Sequence, residues 1–128
     1  MLKIGLVRNL VLAVAALALL SVGGSARAQQ NSQQLYVVTY IDVFPQFAAA
    51  TTAALKQFAA DSLKDAGAVR FEIYKDVERT NHFSVVEVWR DRAAYEAHLQ
   101  QPHSKQFREK IQPGMGSPFD ERLYNMVP

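Results

Sequence analysis

The chain has 128 residues, 14 of them basic and 12 acidic, for a formal net charge of +2, and it contains no cysteine. Missing thiols exclude a cysteine nucleophile, iron–sulfur clusters and cysteine-ligated zinc or haem, and the fold must hold together through its core alone. Lys3, Arg8 and Arg27 lie in the first 28 residues, which leaves 11 basic against 12 acidic residues, a net charge of −1, for the rest. That balance offers no electrostatic footprint for nucleic acid or an anionic membrane.

Residues 1–28 read as a signal peptide. Lys3 and Arg8 form a basic start, Leu10 to Leu20 is an unbroken apolar run, and Ala26-Arg27-Ala28 has the small-x-small pattern of a cleavage site. The apolar run is about half of the roughly 20 residues that span a bilayer, so cleavage after Ala28 is expected, with a periplasmic or secreted product and no membrane attachment afterwards. Residues 29–34, all Gln, Asn or Ser, form a flexible leader. The remainder, 35–128, is enough for one domain.

Leu35 to Val43 alternates as a strand that is apolar on both faces. Pro45 suits the first turn of a helix, Phe47, Thr51, Leu55, Phe58 and Ser62 recur at helical spacing, and Gly67 is expected as the residue just past the helix end. Ala68 to Lys75 and Phe83 to Arg90 alternate again around the polar stretch 76–81, which predicts a hairpin. In the second of these strands Phe83, Val85, Glu87 and Trp89 share one face, so a carboxylate and the only tryptophan stand side by side. Asp91 occupies the N-cap position of a helix over Ala93 to Leu99 that presents His98. Pro102 predicts a break, Ser104 to Ile111 a second short helix, residues 113–118 a loop, and Phe119 to Met126 a closing strand.

Two successive β-α-β units predict an α+β, ferredoxin-like βαββαβ domain with a four-stranded antiparallel sheet and helices on one face. The other face should be polar. Val38, Tyr40, Tyr74, Val86, Val88 and Tyr124 instead make strands that are apolar on both sides, which predicts a homodimer with its sheets face to face.

The Glu87-x-Trp89-x-Asp91 strand end, the Ala94-Tyr-Glu-Ala-His98 helix and the Pro102-His103-x-x-x-Phe107 segment resemble the antibiotic biosynthesis monooxygenase family. The resemblance in order of elements covers residues 35–126, and it implies a dimeric α+β barrel. It also implies an oxygenase of small aromatic or quinol-like compounds that uses O2 without metal or flavin. A branch of the family binds and degrades haem with an Asn on the first strand, a Trp on the third and a His on the following helix. Trp89 and His98 match the last two, and Leu35 to Val43 contains no Asn.

Cofactor-free oxygenation needs a base, a partner for the resulting anion and a dry site. His98 is the candidate base. A phenol near pKa 10 and a histidine near 6.5 differ by roughly 5 kcal/mol, so a lone imidazole is insufficient. Glu87 would pair with the imidazolium, His103 or Arg90 would hold the phenolate, and Trp89 would form an aromatic wall. A lone Trp on a central strand is more often core, and His98 alone more often a satisfied histidine. Glu87 on an apolar face is harder to place in a core. No metal site is expected, because His98 and His103 lack the i,i+4 spacing of a helical zinc pair. Haem ligation by His98, and a non-catalytic module that carries a hydrophobic ligand in the same pocket, are the alternatives.

Overall fold

Antiparallel pairing begins with β1 (Leu35–Asp42), whose alternation buries Leu35, Val37, Thr39 and Ile41 on one face. The computed structural model describes residues 33–127; the expected signal peptide and most of the leader lie outside the described residues. A single 3-10 turn at Pro45–Phe47, with Pro45 in its first position, leads into α1 (Ala48–Ser62), whose buried side chains are Thr51, Ala54, Leu55, Phe58 and Ser62. β2 (Ala68–Lys75) and β3 (His82–Trp89) form the expected hairpin. α2 (Arg92–Leu99) and α3 (Pro102–Ile111) follow, a second 3-10 turn covers Gln112–Gly114, and β4 (Asp120–Tyr124) closes the sheet.

The strand order is β2-β3-β1-β4 with every neighbour antiparallel, which is the ferredoxin-like arrangement predicted from the two β-α-β units. Thr39 is thereby flanked by Val85 on β3 and Glu121 on β4, and Val37 faces Glu87. Register alone thus gathers a hydroxyl and two carboxylates on the helix-covered face. The larger core packs α1 and α3 on this face through Leu55, Phe58, Phe71, Phe83, Val85, Phe107 and Ile111. A smaller one gathers Leu35, Val37, Trp89, Ala94 and Tyr95 under α2. Phe58 and Phe107 stack at 4.2 Å between ring centroids and link the two long helices.

The other face is open. Tyr40, Tyr74 and Tyr124 are 43%, 53% and 45% exposed, so this layer carries aromatic surface that its own chain does not cover.

Two local expectations change. Gly67 does not stand directly behind the helix: α1 ends at Ser62, whose hydroxyl donates to the Phe58 carbonyl at 2.6 Å and competes with continuation of the ladder. Gly67 instead adopts φ 84°, gives its carbonyl to the Arg90 amide at 2.7 Å, and sits so close to Ala94 that a Cβ would meet that residue's Cβ at 2.5 Å. The turn between α1 and β2 is thus pressed against the start of α2. Pro102, read as a break, is also the first residue of α3, where its missing N–H costs nothing.

Candidate functional site

Asp91 starts α2 by accepting the Ala94 amide at 2.8 Å, and the helical repeat then turns Ala94, Tyr95 and His98 inward. His98 is 2% exposed, with its ring 4.5 Å from that of Trp89. Its carbonyl accepts the Ser104 hydroxyl at 2.7 Å, which ties α2 to α3. The pressed turn supplies its partner: His98 Nδ1 donates to Asp65 Oδ2 at 2.7 Å. His103 Nε2 reaches the same oxygen at 2.9 Å. Burial pushes the His98 imidazole below its ordinary pKa, and the Asp65 carboxylate opposes that push. The ring is therefore neutral near pH 7, with its proton on Nδ1 and a lone pair on Nε2.

A second group of ionisable side chains faces it across a small cavity. Glu87, 4% exposed, accepts the Trp89 indole N–H at 2.8 Å. Desolvation pushes its carboxyl up to about 7, against the opposing pull of that indole N–H. On β4, Glu121 accepts the Tyr95 hydroxyl and an Arg108 N–H, both at 2.6 Å. Burial and that acceptor push the Tyr95 phenol well above its ordinary value, so it stays protonated. Arg108 also lies over the Phe119 ring, 4.9 Å from its centroid.

His98, Glu87, Arg108, Glu121 and Thr39 line this cavity together with Phe58, Phe107 and Phe119. Its volume is about 10 Å³, room for one water-sized sphere. Thr39 is buried, and its Oγ1 is the side-chain polar atom without a hydrogen-bond partner among the described residues. An orphaned buried hydroxyl costs about 1–3 kcal/mol, and one that lines a cavity is poised to recover that from a polar ligand. A neutral imidazole held in one tautomer, a carboxyl that titrates near 7, a guanidinium and a free hydroxyl can move a proton and hold an anion in one small space.

The residues expected from sequence separate into those at the cavity and those beside it. His98 and Glu87 line it. Glu87 bonds to Trp89 and not to the imidazole; the carboxylate on His98 is Asp65. Trp89 is buried against His98 and Tyr95 and backs the site, while the aromatic walls are Phe58, Phe107 and Phe119. Arg90 is exposed, follows the end of β3, and is bonded to Asp91 at 2.8 Å beside Gly67, away from the cavity lining. Arg108 is the guanidinium in the site. His103 sits outside the cavity, on Asp65 and beside the separate groove between α1 and α3.

Sequence reasoning missed Asp65, Thr39, Arg108 and Glu121. Asp65 carried no signal, being one polar residue of a turn. Thr39 could have been found from strand parity, since it falls in the buried register of β1.

Residues 34–110, more than half of the chain, match the family described as antibiotic biosynthesis monooxygenase. An uncharacterised protein of Synechocystis is 31% identical over 70 residues, which are 55% of this chain and 48% of that one; the chain thus spans about half the length of this curated relative. Among solved structures, a Nitrosomonas europaea protein provisionally named an antibiotic biosynthesis monooxygenase superposes with TM-score 0.72 at 20% identity, covering 75% of this chain and 92% of its own. A Pseudomonas aeruginosa protein gives 0.71 at 23% identity, covering 77% and 98%. These likenesses show a shared fold, and with the match over residues 34–110 they place the chain in the antibiotic biosynthesis monooxygenase family.

Proposed function

We propose that the chain is an exported monooxygenase of a small aromatic or quinol-like compound, one that uses O2 without a prosthetic group. The observation that carries this reading is the Asp65–His98 pair, whose buried imidazole lines one cavity with Glu87 and the orphaned Thr39 hydroxyl. His98 Nε2 takes a proton from the substrate's phenolic or enolic group. The resulting imidazolium is stabilised by Asp65 and the anion by Arg108, which together must offset the roughly 5 kcal/mol that separates a phenol from an ordinary histidine. The anion passes an electron to O2, and recombination forms a carbon–oxygen bond and a hydroperoxide. Loss of the carbon's proton and cleavage of the O–O bond then leave one oxygen as a carbonyl and release the other as water. Glu87, protonated about half the time near pH 7, is placed to give a proton to that departing oxygen.

The cavity admits about one water as it stands, so a ring gains access when half-buried Arg108 and Phe119 swing outward. Haem is less well supported. β1 has no Asn, Nδ1 of His98 is engaged by Asp65, and a macrocycle needs far more space than an aromatic ring. Oxygen-electrode measurements on dihydroxynaphthalenes, benzoquinols and anthrones, with no metal or flavin added, test the reading. Uptake that saturates with one class is expected. Uncatalysed rates throughout, with a ligand-dependent change in Trp89 fluorescence, would identify a binding module instead. A Soret shift on haem titration would identify a haem protein.

The reading includes a homodimer through the open sheet face, whose Tyr40, Tyr74 and Tyr124 are too exposed for a solvated layer. Sedimentation at micromolar concentration is expected to give twice the chain mass, and a stable monomer would refute the dimer.

A further inference from the structure

Asp65, His98 and His103 come from three separate places, the α1–β2 turn, the end of α2 and the start of α3, and converge on one point. Their ligand atoms all lie within 4.8 Å of one another. The base role of His98 requires one carboxylate on Nδ1 and accounts for Asp65, but leaves His103 unexplained. Its Nε2 reaches the oxygen that His98 already uses, at 2.9 Å against 2.7 Å. Two imidazole nitrogens and one carboxylate are the donor set of a transition-metal site. We propose that His98 Nδ1, His103 Nε2 and Asp65 bind a divalent transition ion of the zinc and copper class.

Geometry, surroundings and accessibility agree with that assignment. Three atoms spaced in this way lie within about 2.8 Å of a common point, and reaching the about 2.1 Å of a zinc–nitrogen or zinc–oxygen bond takes a shift of less than 1 Å. The His98 ring is packed against Trp89, and its backbone carbonyl accepts the Ser104 hydroxyl, which holds the end of α2 against the start of α3. His103 and Asp65 are half-buried, with side chains 22% and 13% exposed, so an ion has a path from solvent and room to keep a water as fourth ligand. Magnesium, which favours oxygen ligands, does not fit two imidazoles.

One consequence rests on the proposed function. A neutral imidazole ligated through Nδ1 must carry its proton on Nε2. Nε2, the nitrogen to which the proposed base role is assigned, would then donate where the metal-free ring accepts. The ion would convert the base into a hydrogen-bond donor and stop proton abstraction, an off-state set by metal supply.

Binding is tested without substrate, so its outcome is independent of whether the chain is an oxygenase. The full chain, free of any histidine tag, is titrated with zinc by calorimetry and with cobalt(II) by visible absorption. One equivalent per chain, ligand-field bands of a nitrogen- and oxygen-ligated ion, no response to magnesium, and affinity reduced about tenfold or more in His103→Gln are expected. His103 is half-buried, and a circular dichroism melt checks that the variant folds. Absence of zinc binding at micromolar concentrations, or equal affinity in folded His103→Gln, overturns the proposal.

Discussion

Asp65→Asn is expected to lower turnover about a hundredfold while leaving the Michaelis constant nearly unchanged. The amide keeps the size of the carboxylate and can still accept the Nδ1 proton, so His98 stays in place. What it removes is the negative charge 2.7 Å from the ring, which stabilises the imidazolium only after the proton has moved. An interaction made in the transition state and absent from the ground state appears in turnover and not in binding. His98→Ala removes the base itself, with an expected loss of about 10²- to 10⁴-fold, the usual range for general base catalysis. The pH profile separates this role from a merely structural one. Burial holds the His98 pKa down and Asp65 holds it up, so taking the charge away moves the acid limb of the rate profile to lower pH. Steady-state oxygen uptake as a function of pH reads both effects. Wild-type turnover in folded Asp65→Asn would remove the pair from the mechanism.

The parts of this site that a sequence displays are those carried by regular elements. Alternation placed Glu87 and Trp89 on the buried face of β3, and an Asp at the N-cap fixed which face of α2 His98 would occupy. The four strands and the helices were visible for the same reason, with bounds shifted by a residue or two where caps and frayed ends decide. Contacts between elements were not visible. Asp65 lies 33 residues before His98, and the two meet because Gly67 can take a positive φ and bring the turn against Ala94. Nothing in the local pattern of residues 63–67 states that distance. Arg90 shows the converse error: nearness in sequence to Trp89 suggested nearness in space, yet β3 ends at Trp89 and the Arg90 guanidinium is held by the Asp91 cap. The guanidinium that does reach the cavity, Arg108, comes from a later helix through its ion pair with Glu121.

Glu87→Gln is expected to stabilise the protein at alkaline pH and to leave it nearly unchanged in acid. The unfolded chain ionises this carboxyl near its ordinary value of 4.5, whereas the folded protein holds the proton until about 7. Between those values the folded state binds more protons than the unfolded one, so stability falls as pH rises, and the loss is complete above pH 7. A gap from 4.5 to about 7 corresponds to about 3 kcal/mol, at about 1.36 kcal/mol per pH unit. Glutamine has no proton to lose, and its amide oxygen can still accept the Trp89 indole N–H. Urea melts at pH 8 should therefore show the variant more stable by up to about 3 kcal/mol, a large share of the roughly 5–15 kcal/mol typical of a domain, while melts at pH 4 should nearly coincide. Equal differences at both pH values would mean that burial does not govern this carboxyl. His98 acts with the opposite sign: its depressed pKa makes stability fall as pH drops below about 6.5, because the unfolded chain then takes up a proton that the folded ring resists. The two groups thus confine the fold from both sides near neutrality. A protein selected for stability alone would carry an apolar side chain at position 87. A carboxyl kept there, half-ionised near neutral pH and facing an imidazole and an orphaned hydroxyl, is expected where a proton has to be handled.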